Sequence, residues 1–137
     1  MNKRIKDKIN DIKIYLEQLS TVKPISFKEY EKDFKIKAAC ERYFEKITEA
    51  VIDLSNLLIK EKSFQSPEEE DEAFEILKKE WVINFDLFIK LKSMKSMRNI
   101  LAHQYWEVDD EIVYATISEE IENDVKTFVE IVKKINK

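Results

Sequence analysis

The chain contains no glycine in its 137 residues. Tight β-hairpin turns need residues at positive φ, a conformation glycine adopts without steric cost. A sheet-rich domain built without glycine would struggle to reverse direction. Helices joined by short loops face no such demand. The only two prolines are Pro24 and Pro67, so long stretches carry no helix breaker. The missing glycine therefore points to an all-α fold.

Length and charge narrow the reading. A chain of 137 residues suits one domain with a single core, taken as residues 1–137. Its 44% hydrophobic and 38% charged residues fit a packed domain with solvated outer faces, not a disordered chain. The net charge of −4 excludes a basic field over the whole surface, so any nucleic-acid contact must be local. The single cysteine, Cys40, cannot form an internal disulfide and reads as a small residue packed in a helix. Mixed charges follow Met1-Asn2-Lys3-Arg4, unlike a signal peptide. No run approaches the ~20 apolar residues that cross a membrane. The expectation is a soluble cytoplasmic protein with no membrane partner.

Apolar spacing sets out the helices. Ile5, Ile9, Ile12, Leu16 and Leu19 form the stripe of a first helix, ending near Thr21 ahead of Pro24. Ser26 and Glu29 make a capping box that opens a second helix. Nothing between residues 27 and 61 breaks that helix, which is long enough to bend or to serve as a central spine. The acidic run after Ser66-Pro67 could suggest a metal cluster. It reads better as a helix start, with Ser66 capping, Pro67 in the first position and acids on the positive end of the dipole. A short helix with Ala73, Phe74 and Leu77 follows, then one from about Trp81 to His103. Residues 104–117 lose the helical period, and Glu111–Ala115 reads as a short extended piece. Thr116 or Ser118 opens the last helix, striped by Ile121, Val125, Phe128, Val132 and Ile135. The sum is an up-down bundle of four to five helices with one long central helix.

The chemistry concentrates in Arg98-Asn99-Ile100-Leu101-Ala102-His103-Gln104-Tyr105. His103 is the only histidine of the chain; Arg98 stands five positions before it and Tyr105 two after. Lys90, Lys92 and Lys95 precede the segment, and no acid interrupts it from Lys90 to Gln104. A histidine and an arginine in one segment are the residue types that cleavage of a phosphodiester uses: a base, a cation on the phosphate and a proton for the leaving oxygen. Free histidine titrates near ~6.5, which suits His103 to the proton work. The planar fork of Arg98 suits two phosphate oxygens. Asn99 could position one of these groups, and Lys92 and Lys95 could meet the phosphates of a substrate. One histidine without a neighbouring Cys or acid is a poor zinc site, so no metal and no cofactor is expected.

Bland roles stand beside these. A histidine near a helix C-terminus often serves the dipole, the arginine could pair with an acid, and the tyrosine could pack. Helix geometry adds a constraint. Positions five apart on a straight helix point ~140° apart and lie ~7.5 Å apart along the axis. Arg98 and His103 would meet only if the helix ended and let His103 swing round, or if a second protomer completed the site.

The segment resembles the Arg-x4-His-x-Tyr motif of the HEPN superfamily, and within it the HepT toxins. The long central helix, with Glu41-Arg42 and Glu49–Asp53, is more weakly similar to that family. The resemblance implies a toxin of a toxin–antitoxin pair that cleaves RNA without a metal. It implies a two-fold homodimer with both motifs lining one cleft, and two histidines to act as base and acid. It further implies that a minimal nucleotidyltransferase antitoxin of the MntA type attaches AMP to Tyr105, where added phosphate would block RNA. The alternatives are a catalytically inactive nucleotide- or RNA-binding module and a purely structural helical dimer.

Overall fold

A computed structural model describes residues 1–69, 72–103 and 108–136, and all its regular elements are helical. In chain order they are α1 (Lys3–Val22), α2 (Phe27–Lys32), α3 (Phe34–Glu61), α4 (Glu72–Lys79), α5 (Phe85–His103), α6 (Asp110–Ala115) and α7 (Ile121–Ile135). A π-helical turn, Thr116–Glu120, joins α6 to α7. The four long helices, α1, α3, α5 and α7, make the bundle.

The spine is α3. Twelve of its residues are buried, among them Phe44, Ile47, Val51, Leu54 and Leu58. Full burial of each large apolar side chain contributes roughly 1.5–3 kcal/mol, so this face dominates the core. α1 lies antiparallel to α3. Asn2 donates to Glu61 at 2.8 Å near one end, Lys8 pairs with Asp53 at 3.5 Å, and the Lys46 ammonium sits 5.4 Å from the Tyr15 ring centroid. α7 runs parallel to α3, with Lys62 Nζ donating to the Ile135 carbonyl at 2.8 Å. At the other end Lys23 Nζ, just past α1, donates to the Ser118 carbonyl at 3.3 Å. α5 packs on α7 partly through Lys90 and the buried Asp124, 3.9 Å apart. Burial holds the Asp124 carboxyl above its ordinary range, against the pull of Lys90.

The structure corrects the sequence reading in five places. The stretch 27–61 is two helices, because Asp33 ends α2 and caps α3, its carboxylate accepting from Lys35 N–H at 3.0 Å and Ile36 N–H at 3.3 Å. The break lets α2 turn Tyr30 into the core, where its hydroxyl donates to Glu41 at 3.4 Å. The Ser26 cap forms as expected, its oxygen accepting from Glu29 N–H at 3.3 Å. Ser66-Pro67 opens no helix. α4 begins at Glu72, immediately before the apolar Ala73 and Phe74, since the acids ahead of it have nothing to bury. α5 starts at Phe85, with Asn84 Oδ1 accepting from Leu87 N–H at 2.8 Å, so Trp81 lies outside it.

Glu111–Ala115 is helical, opened by Asp109, whose side chain accepts from Glu111 N–H at 3.0 Å and Ile112 N–H at 3.4 Å. Neither Thr116 nor Ser118 opens a helix. Their hydroxyls donate back to the Ile112 and Tyr114 carbonyls at 3.0 and 2.7 Å, inside the continuous α6–π–α7 run. Cys40 is buried as expected, and burial pushes its thiol up to about 11, where it is inert. No described helix is long and apolar enough to cross a membrane.

Two helix ends show how the chain manages without glycine. Ser63 (φ 57°) and Trp81 (φ 62°) take the left-handed position after α3 and α4. The next N–H reaches back in each case, Phe64 to the Ile59 carbonyl at 3.0 Å and Val82 to that of Leu77 at 2.9 Å. This is the Schellman ending, usually filled by glycine because a Cβ costs energy there. Ser63→Gly is therefore expected to stabilise the protein by up to about 1 kcal/mol, seen as a higher Tm, while a lower Tm would show that Ser63 is not strained.

Candidate active site

Arg98 and His103 lie on one unbroken helix, α5, which ends at His103. Leu91, Met94 and Leu101 fix its inner face in the core, at 0%, 3% and 5% exposure. That anchoring sets where the motif side chains point. Arg98 turns inward toward α3, with its side chain 13% exposed and Nη1 3.8 Å from Glu49 Oε1. Its Nε donates to Asn99 Oδ1 at 3.0 Å, so the neighbouring amide orients the guanidinium. His103 is exposed at the helix terminus. The helix thus holds the two residues on different faces, about 140° apart.

The two lysines part company. Lys92 is exposed, and its ammonium lies 3.4 Å from Glu75 Oε1 on α4 and 5.5 Å from the Phe88 ring centroid. Lys95 is buried, at 6% exposure. It follows Leu91 by four positions and so shares its inner face. Lys95 therefore does not stand on the surface beside Lys92, and a phosphate contact through it does not fit this arrangement. Tyr105 lies outside the described residues.

Glu49 was not singled out as a site residue by sequence. It is 49 residues from Arg98, and no local pattern announces such a pair. Its carboxylate is half-exposed, so the pair lies at the surface end of the α3–α5 contact. Beside the motif, a cleft of about 560 Å³ opens between α5 and α6, lined by Ile89, Ser93, Met97, Ile100, Ile112 and neighbours. Ile89, Ile100 and Ile112 remain 44%, 41% and 58% exposed there. α5 thus carries apolar side chains on its outer face as well as its inner one.

Comparison with known proteins agrees with this layout. Residues 5–132 match the family model described as ribonuclease HepT-like. The chain belongs to the HepT-like ribonuclease family. It is 26% identical over 133 residues to an mRNA nuclease HepT of Shewanella oneidensis, covering 97% of this chain and 98% of that one. It is 28% identical over 104 residues to a tRNA nuclease HepT of Aphanizomenon flos-aquae, covering 76% of this chain and 71% of the other. A solved structure of the tri-AMPylated Shewanella oneidensis HEPN toxin, in complex with MNT antitoxin, superposes with a TM-score of 0.90 at 26% identity. That match covers 98% of this chain and 99% of that one. The all-α bundle is thus the HEPN fold. A cytosolic protein of unknown function from Bacillus subtilis shares it, with a TM-score of 0.79 at 18% identity.

With Glu49 half-exposed and 3.8 Å from Arg98, the pair is weak, and Asn99 still holds the guanidinium when the carboxylate is gone. Glu49→Gln is accordingly expected to change the folding free energy by less than about 1 kcal/mol in denaturant melts. A loss of several times that value would make the Arg98–Glu49 contact a structural element of the core.

Proposed function

We propose that this chain is the toxin of a toxin–antitoxin pair, a metal-independent endoribonuclease whose site is shared between two copies. The observation that carries the reading is the motif on α5, with Arg98 oriented by Asn99 and His103 exposed at the helix end. Nuclease relatives and toxin structures that match nearly the whole chain support it.

The chemistry follows from the residues. His103 of one copy removes the proton from a 2′-OH, and that oxygen attacks the adjacent phosphorus. A new O2′–P bond forms as the P–O5′ bond breaks, leaving a 2′,3′-cyclic phosphate. The leaving O5′ takes a proton from the second copy's histidine. Arg98 holds the non-bridging oxygens and offsets the charge that grows on them.

A homodimer is needed because one straight helix does not bring Arg98 and His103 together. A two-fold contact across the cleft at Ile100 and Ile112 would cover the apolar outer face of α5 and place both motifs along one seam. We place the protein in the cytoplasm, with RNA as substrate and an MntA-like minimal nucleotidyltransferase as antitoxin. That partner would silence it by joining the Tyr105 oxygen to the α-phosphorus of ATP, with release of pyrophosphate. The bulk and charge of AMP beside His103 would then exclude RNA.

The test is cleavage of RNA by purified protein in the presence of a chelator. Wild type is expected to cleave, with His103→Ala reduced at least about 100-fold. Equal activity in the two proteins, or activity that vanishes with the chelator, would overturn the proposal.

A further inference from the structure

Trp81 occupies an unusual place. It takes the left-handed position that ends α4, φ 62°, where a Cβ is unfavourable and a bulky side chain is rare. Its indole receives nothing in return from the core, being 92% exposed. Phe85, four residues on, is also 65% exposed. The Lys78 ammonium sits 4.2 Å from the Phe88 ring centroid and 5.8 Å from that of Phe85, and Lys92 flanks the same Phe88 ring. A costly backbone conformation that displays an aromatic ring to water is found where the ring has a use.

We propose that the Trp81–Phe85 corner is a stacking platform for unpaired bases of the RNA substrate, an exosite for the chain that enters the cleavage centre. This rests on the ribonuclease reading given above. Three features favour a single-stranded nucleic acid. Exposed flat rings accept any nucleobase by stacking, and the Lys78 and Lys92 ammonium groups gathered over the neighbouring Phe88 ring stand ready to meet the phosphates. From Glu75 to Lys92 four lysines stand against three acids, in a chain whose net charge is −4. Phe85 and His103 are 18 residues apart on one helix, five full turns, so both project from the same face of α5 about 27 Å apart. Lys92 lies between them on that face. An extended strand stacked on the corner would therefore be led past Lys92 to His103.

The experiment uses the purified full chain with a fluorescein-labelled single-stranded RNA of mixed sequence. A 2′-O-methyl version of the same RNA, which has no nucleophile, gives Kd. Trp81→Gly is expected to raise both KM and Kd by at least about fivefold while retaining kcat, and Phe85→Ala to do the same. Trp81→Gly is also expected to melt at a higher temperature than wild type, because glycine relieves the left-handed position. Weaker substrate binding in a more stable protein is a pairing that structural damage does not produce. Unchanged KM and Kd in a Trp81→Gly protein that cleaves RNA would overturn the platform. So would an effect confined to the oligomeric state or to binding of a nucleotidyltransferase, which would make the corner a protein-docking surface. A wild-type protein that cleaves no RNA would instead overturn the ribonuclease reading itself.

Discussion

The buried face of α3, running from Cys40 to Ile59, sets the geometry on which the other helices depend. α1 lies antiparallel along it, α7 runs parallel to it, and α5 is pressed on it at the level of Glu49 and Arg98. Because α5 is anchored by Leu91, Met94 and Leu101, its rotation is not free. That rotation turns Arg98 inward to Glu49 and leaves His103 outward. The distribution of chemistry over the surface thus follows from packing in the core.

Helix period made the long elements legible. The stripes of α1 and α7 are buried or half-buried, and Phe44, Ile47, Val51, Leu54 and Leu58 of α3 are buried as the period requires, whereas Phe34, on the same apolar rhythm, starts α3 76% exposed. The ends were harder, because caps are decided by backbone geometry. Asp33 lies among lysines in a stretch whose apolar rhythm continues across it, so its capping role leaves no mark on the pattern. The stretch from Trp81 looks continuous with α5, because the left-handed turn that ends α4 there carries no glycine to mark it. Glu111–Ala115 looks extended because the helical period lapses around it, yet the Asp109 cap opens a helix there.

The site was legible to a similar degree. The motif residues stand out because the histidine is unique and the segment lacks acids. Lys95 was grouped with Lys92 by charge alone, although its spacing from Leu91 already placed it on the inner face. Glu49 carried no sequence signal as a partner of Arg98, since a contact between α3 and α5 exists only in the folded chain. The missing glycine ran through both levels. It pointed to helices, and in the structure it forces serine and tryptophan into left-handed positions, one of which displays the aromatic corner.

A shared site makes a demand that a single-chain site does not. If one copy's His103 is the base and the other copy's His103 the acid, a dimer of one wild-type and one His103→Ala copy holds no complete site. A site contained within each chain would leave the wild-type copy of that dimer working. The most direct measurement is therefore RNA cleavage by a mixed dimer of wild-type and His103→Ala chains, co-expressed with different tags and co-purified. Cleavage as low as that of the His103→Ala homodimer is the expected result. About half of the wild-type activity in the mixed dimer would contradict a site built across the two-fold.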